Sequence, residues 1–587
     1  MIILGVFWRE EEDPSLLQKL QEKIYQIQGS LKKVEIKKKS STITILHEPE
    51  LRGYQILEEA HQLLVGKCFL KTSGSPVRGE NLTNPEDFIE KTWGNYLLFS
   101  WDNNTSQLEI LKDPVGQIPL FYCEIEKCVL FSSELSLLQS LLGDSPAYDW
   151  HYFANFLLQG NFISQSSPFL QIKDLVPGFR LCLSAKMAEQ IPTWRLENYC
   201  TPCEDRDIVK TLQSVIQSWT SSYPEIFLEF SGGLDSSAIL YCLKSISKPE
   251  QSLTAVNVFD SFVRSSNELF HAERISQHAA VSLEKMDSAI IPPLSPAVPL
   301  SFKPNRPSAM FTYLLMEQEI YNRAKNPSQA LFMCGQGGDE IFMAPPTIGS
   351  LNDLILNRQW NQVKNKLRDL SYFYQIPIYS LLKTFMGNLW RYFLRVPYRS
   401  CIIEEKIDES PWISKELLNL SKKKLKHPYL SQYAKKLPPG KWNQLEFIFK
   451  GLAGIHQDIK PWPDARFYPL LSQPMIELAL SIPTFDLYDQ GHDRYPFRSS
   501  ISRFFNTDYV WRKDKGETSG VFQRGLQKNR ELALSLCLEG RFAKEKLIDR
   551  EKLETEIHKF LLGGRGCQWP MTRLIAAELY FSYWQDP

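Results

Sequence analysis

The run Ile226-Phe-Leu-Glu-Phe-Ser-Gly-Gly-Leu-Asp-Ser-Ser237, continued by the apolar Ala238-Ile239-Leu240, constrains the fold more than any other stretch of this chain. An apolar, aromatic-bearing segment of strand length halts at Ser-Gly-Gly, and a helix-like segment opens directly beyond it. In an open α/β sheet such a junction stands at the carboxyl end of a strand, where ligands bind. Gly232 and Gly233 let backbone approach an anion closely, and N–H groups at a helix start favour phosphate. Ser231, Ser236 and Ser237 add hydroxyl donors, and Asp235 supplies a carboxylate able to hold a metal. The Lys-Ser/Thr ending of the Walker-type loop is missing. A plain Gly-Gly turn before an ordinary helix is the competing reading, and the density of matching residues in this context decides against it.

A second run, Leu331-Phe-Met-Cys-Gly-Gln-Gly-Gly-Asp-Glu-Ile-Phe342, repeats the same logic. An apolar strand ends in a glycine-rich turn, Gly337-Gly338, that presents Asp339 and Glu340. Taken alone, it also reads as a helix N-cap with an acidic first turn. Two parallel strands that both end in such turns bring Asp235 and Asp339 to one crevice. Two carboxylates with triphosphate oxygens suit Mg²⁺, which prefers oxygen ligands and keeps several waters.

The chain changes character near residue 205. Before it, short β-like runs alternate with turn residues: Ile2–Trp8, Tyr96–Trp101, Leu108–Leu111, Pro119–Glu124, Cys128–Phe131 and Phe179–Leu183. Beyond it, helical stretches alternate with three buried strands, Ile226–Phe230, Leu253–Val258 and Ala330–Met333, which suggests βαβ units and a parallel sheet. After residue 350 the pattern is mostly helical. The expected fold class is therefore α/β, with domains over 1–204 and 205–587. With 587 residues and 43% hydrophobic content, two sizeable cores are within reach.

Charge excludes some functions. Basic and acidic residues balance at 67 each, so no global field draws the chain to nucleic acid or to an anionic membrane. The basic runs Lys32 to Lys39 and Lys422 to Lys426 read as solvated faces. No apolar run reaches the length of a membrane span, and the first residues lack a signal peptide's basic start, so a cytoplasmic location is the expectation. Eleven cysteines are spread thinly, and the one CxxC, Cys200-Thr-Pro-Cys203, has no companion pair at zinc spacing; a linker is the better reading.

The two glycine motifs together resemble the asparagine synthetase superfamily, the first being similar to the pyrophosphate loop of ATP pyrophosphatases. Further matches are Ser266-Asn-Glu-Leu-Phe-His-Ala-Glu-Arg-Ile275, Asp464-Ala-Arg-Phe-Tyr-Pro-Leu-Leu471 and Val510-Trp-Arg-Lys-Asp-Lys-Gly516. In the first half, Gly94-Asn-Tyr-Leu-Leu-Phe-Ser-Trp-Asp102, Lys112-Asp-Pro-Val-Gly-Gln-Ile-Pro-Leu-Phe-Tyr122 and Phe131-Ser-Ser-Glu134 are similar to the family's αββα glutaminase domain. The resemblance implies ATP as co-substrate, and Mg²⁺ held by Asp235 and Asp339. It also implies an adenine site beside Val256 to Val258. Asp464 stands where the family carries a proposed general base, with an N-cap or an Asp464–Arg466 ion pair as its plainer reading. Lys515 matches a late Lys that stabilises developing negative charge, a catalytic role its neighbours Arg512 and Lys513 could also take, with a solvated basic turn as the plainer reading.

One departure matters most. A working glutaminase of this family needs Cys directly after the initiator Met, and this chain has Ile2. No Asn-Gly pair of the kind that forms the glutamine pocket occurs before residue 80. The first domain is therefore expected to be degenerate. The members that lost this nucleophile and keep Gly-Gly-Asp-Glu resemble lasso peptide macrolactam synthetases, which join a peptide's amino terminus to an Asp or Glu side chain. A leader-free precursor peptide is then the substrate, with a leader peptidase and a leader-recognition protein as implied partners. The alternatives are a β-lactam-synthetase-like or other amide ligase, and an ammonia-dependent asparagine synthetase. A nucleotide-binding module without turnover is a third, from a different class.

Overall fold

The computed structural model describes the chain except residues 10–12, 39, 48–52, 60, 103, 144–146, 203–206, 297–299, 301, 397, 399–409, 457–465, 514–515, 517–518, 565–567 and 585–587. The first half holds two six-stranded antiparallel sheets laid face to face. One runs Lys173–Asp174, Phe121–Ile125, Cys128–Ser132, Ile2–Trp8, Ser41–His47, Lys32–Lys38. The other runs Ala188–Pro192, Phe179–Leu183, Gln107–Lys112, Thr92–Asp102, Gln62–Leu70, Gln55–Glu59.

Strand Ile2–Trp8 shows why the layers form. Its side chains alternate between the two faces of the sheet. Ile3 and Phe7 enter the core between the sheets together with Leu97 and Phe99. Leu4, Val6 and Trp8 instead join Leu20 and Ile24 of helix Pro14–Gln28 on the outer face. The Phe131 ring spans the gap between the sheets, with its centroid 6.1 Å from that of Phe99. A Cβ on Gly5 would stand 2.2 Å from the same ring, so only glycine fits there. The basic run Lys32–Lys38 is the edge strand of its sheet, with Lys32, Lys33 and Lys37 exposed and Ile36 buried in the core; lysines on such an edge discourage pairing with another chain.

In the second half five strands form an all-parallel sheet in the order Ser282–Asp287, Ser252–Phe259, Glu225–Glu229, Ala330–Cys334, Arg466–Phe467. Strand order reverses between Glu225–Glu229 and Ala330–Cys334, whose register pairs Glu229 with Cys334. This is the switch point where connections leave to opposite faces and open a crevice. Both glycine-rich turns start there. Long helices follow, ending in Gln568–Trp584, which packs back on Trp150–Gln159 with Phe153 and Phe581 rings 4.5 Å apart.

Buried polar contacts join the halves. Lys71 pairs with Glu477 at 2.8 Å, the Trp194 indole donates to the same carboxylate at 3.1 Å, and the Tyr429 hydroxyl donates to the Gly178 carbonyl at 2.9 Å. His427, buried and stacked on Phe449 at 3.9 Å, has its pKa lowered to about 3 because burial disfavours the imidazolium.

Candidate active site

The first turn is fixed by its neighbours. Phe230 N donates to the Val256 carbonyl at 2.8 Å, and the Asn257 amide donates to the Phe230 carbonyl at 2.7 Å. The chain then turns through Gly232 at φ +76°, a region L side chains rarely adopt, and a Cβ there would stand 2.8 Å from Ala272 N. Gly233 N donates to Ser231 Oγ at 3.2 Å, and Ser231 Oγ meets Ser236 Oγ at 3.2 Å. Helix Leu234–Ile246 starts at Gly233 with no side-chain cap. Its first N–H groups are left to bind an anion, with the helix dipole favouring negative charge.

The second turn interlocks with the first. Gly337 lies at φ +123° beside Leu471, and Gly338 opens the single helical turn Gly338–Ile341. A Cβ on Gly335 would stand 2.9 Å from Ser236 N, and one on Gly338 would stand 2.1 Å from Asp235 Oδ1. These glycines exist because two loops from adjacent strands must touch.

The crevice between them is a cavity of about 750 Å³. Ser231, Gly233, Asp235, Ser236, Val256, Val258, Gly337 and Asp339 line it, as do Arg512 and Lys513. Gly232, Ser237 and Gly338 stand behind that wall: Ser237 is buried within its helix, and the Gly232 carbonyl accepts from Arg512 Nη1 at 3.3 Å. Val256, Val258, Ile320 and Met316 give one wall an apolar surface suited to a flat ring. Below it Arg466 sits between Glu229 and Glu317, 2.6 Å from the latter.

Asp235 and Asp339 do meet. They converge on one nitrogen, Arg494 Nη1, which is 2.9 Å from Asp235 Oδ2 and 2.5 Å from Asp339 Oδ1. Burial works against the Arg494 charge, but Asp235, Asp339 and Asp493 outweigh it and hold the guanidinium above its ordinary range. Asp493 shows the converse: burial raises its pKa, Arg494 and Arg498 lower it by more, and the net shift is downward. Arg512 pairs with Glu268 and, with Arg494, Arg498 and Lys513, brings four cations into the crevice beside the carboxylates that hold the arginines. Two carboxylates reaching a common point fit a hard divalent cation in donor type and in convergence. Among the described residues no group of three or more His, Cys, Asp or Glu is placed to hold a metal.

Arg494 is a functional residue that no sequence motif marks; its φ of +52° in a non-glycine residue is visible only in three dimensions. Asp464 and Lys515 lie outside the described residues, as does Cys203. Glu340, which the sequence presents beside Asp339, also lines the cavity, as does Gln336.

The fold and this crevice suit an ATP-dependent amide-forming ligase, and the asparagine synthase model assigns the chain to that class. Residues 210–396 and 465–586 match the asparagine synthase model, and residues 82–194 match the glutamine amidotransferase domain. The chain belongs to the asparagine synthase family. It is 22% identical over 515 residues to the microcin J25-processing protein McjC of Escherichia coli, across 83% of this chain and 86% of the relative. It is 25% identical over 171 residues to a glutamine-hydrolyzing asparagine synthetase of Bacillus subtilis, across 26% of this chain and 23% of that one.

Proposed function

We propose that the protein closes the macrolactam ring of a lasso peptide. It would join the amino terminus of a leader-free precursor to an Asp or Glu side chain, with ATP split to AMP and pyrophosphate. The observation that carries the reading is the convergence of Asp235 and Asp339 at the switch-point crevice, in a chain whose residue 2 is Ile2. Likeness to the microcin J25-processing protein along most of both chains supports the choice of peptide substrate.

A carboxylate is a poor acyl donor because its leaving group would be oxide. Attack of the substrate carboxylate on the α-phosphate of ATP gives an acyl adenylate and pyrophosphate. Ser231, Gly233, Ser236 and the open N–H groups of helix Leu234–Ile246 would hold the departing phosphates, with Gly232 and Ser237 shaping the loop from behind. Asp235 and Asp339 would hold Mg²⁺, which when bound neutralises charge on pyrophosphate. Arg494 would turn from the carboxylates to the phosphates, keeping its ion pair with Asp493 as the pivot. Val258 and its neighbours would bracket adenine.

The incoming amine must be neutral. With a reference α-amino pKa of about 7.7–8.0, a modest base suffices near neutrality, and Asp464 is the residue assigned to it. Lys515 would stabilise the negative charge that grows as the acyl carbon becomes tetrahedral. Arg512, tied to Glu268 and to the Gly232 carbonyl, positions the phosphate loop. Holding the folded peptide with amine and adenylate adjacent removes most of the entropic barrier.

The test is mass spectrometry of a candidate core peptide after incubation with the protein, ATP and Mg²⁺. The expected result is loss of one water from the peptide and equal amounts of AMP and pyrophosphate. Appearance of ADP and phosphate instead would end the reading.

The first domain supplies no ammonia on this view. Ile2 begins a strand, pairs with Leu46 and is half-buried against apolar neighbours, with no nucleophilic atom. The pure protein should therefore release no glutamate from glutamine above the uncatalysed background. Steady glutamate release would overturn the claim.

A further inference from the structure

The helices Trp360–Tyr374 and Ile378–Phe393 form a hairpin that meets the body of the protein on one side. That inner side has its own small core, with Leu370, Leu381 and Phe385 packed against Leu351 and Tyr488. The outer side is apolar where a water-facing surface is usually polar. Ile378, Tyr379, Leu382, Met386, Trp390 and Phe393 are all exposed, Tyr379 by 74%, Trp390 by 69% and Phe393 by 68%. At about 100° per residue they fall within about 120° of the helix circumference, a single stripe roughly 20 Å long.

The same hairpin concentrates positive charge. Between Arg358 and Val396 there are four arginines and three lysines against one acid, Asp369, in a chain whose totals cancel. Lys366 is turned inward to Asp489 at 2.9 Å, while Lys364, Arg368, Lys383 and Arg395 are exposed.

We propose that this hairpin docks the protein onto an anionic lipid surface. Tyr, Trp and Phe beside basic residues on an amphipathic helix suit the boundary between headgroups and acyl chains. The cations meet acidic headgroups there. A second copy of the chain is the poorer occupant, because the face would set its own cationic excess against itself. Among the described residues no helix is long and apolar enough to cross a membrane. The expectation of no membrane contact rested on whole-chain charge, which averages this cluster away. The proposal stands on the surface alone and does not rest on the ligase chemistry.

The experiment is flotation of the full chain with phosphatidylcholine vesicles carrying about 30 mol% phosphatidylglycerol, compared with phosphatidylcholine alone. The protein should float with the anionic vesicles, and raising salt from about 0.1 to about 0.5 M should weaken the association. Met386→Glu with Trp390→Glu should lower partitioning at least about tenfold with thermal unfolding unchanged. Lys383→Glu with Arg395→Glu should remove the preference for anionic lipid. Failure to float with anionic vesicles overturns the proposal, as does undiminished flotation of the Met386→Glu, Trp390→Glu variant. A dimer in sedimentation velocity that this variant dissociates assigns the face to a second copy and equally overturns it.

Discussion

Asp339→Ala is expected to reduce ATP-dependent turnover about a thousandfold or more while leaving the fold intact. The size follows from what the carboxylate faces. Asp339 is one of the two acids that converge in the crevice, and its Oδ1 stands 2.5 Å from Arg494. A cation held there offsets the charge gathered on departing pyrophosphate, an effect worth several kcal/mol. The fold should survive because the side chain is a third exposed and belongs to neither apolar core. Asp235 also remains to hold Arg494 in place. Asp339→Asn separates the two roles: it keeps a hydrogen-bond acceptor for Arg494 but loses the charge, so it should be nearly as inactive as Ala. Pyrophosphate release measured at saturating ATP is the readout. Turnover within about tenfold of the parent for either variant would remove Asp339 from the metal site.

Much of this site is legible in the sequence because backbone constraints leave their mark on residue identity. Gly232, Gly335, Gly337 and Gly338 are glycines for reasons of φ or close approach. Asp235 and Asp339 follow their strands at fixed offsets, so parallel pairing alone brings them together. What the sequence conceals is long-range or too short for a pattern. Arg494 reaches Asp235 across 259 positions, and nothing in a charged turn marks that partner. Strand Arg466–Phe467 has two residues, and Ser282–Asp287 at the sheet edge mixes polar with apolar side chains, so neither shows a buried-strand run. The basic run at Lys32–Lys38 reads in the sequence as a solvated face, which is half the character of this edge strand. Averages mislead in a related way: a balanced total says nothing of where the cations gather, and the hairpin at 360–393 holds a surplus that the whole chain conceals.

Gly232→Ala should lower kcat/KM for ATP about a hundredfold, the second large effect, and for a reason that involves no charge. At φ +76° an L residue with a Cβ is strained by roughly 1–2 kcal/mol. The new methyl would also stand 2.8 Å from Ala272 N and 3.0 Å from Ala272 Cα. Those are backbone atoms of helix Leu269–Ala279, which cannot rotate aside as a side chain can. Either the loop or the helix must give way, and the loop is the softer of the two. Ser231 and the open N–H groups beyond Gly233 would then leave the phosphate position by a fraction of an ångström to about 1 Å, a displacement that typically costs about a hundredfold. Gly387→Ala provides the control, since its Cβ would meet nothing within 4 Å and its place is inside a helix. That substitution should leave kcat/KM unchanged and raise stability by about 0.5 kcal/mol. Both variants need only circular dichroism, thermal unfolding and initial rates against ATP concentration. A Gly232→Ala protein with the parent's kcat/KM would mean that the loop does not rest on helix Leu269–Ala279 when ATP is bound, and the phosphate site would have to be built elsewhere.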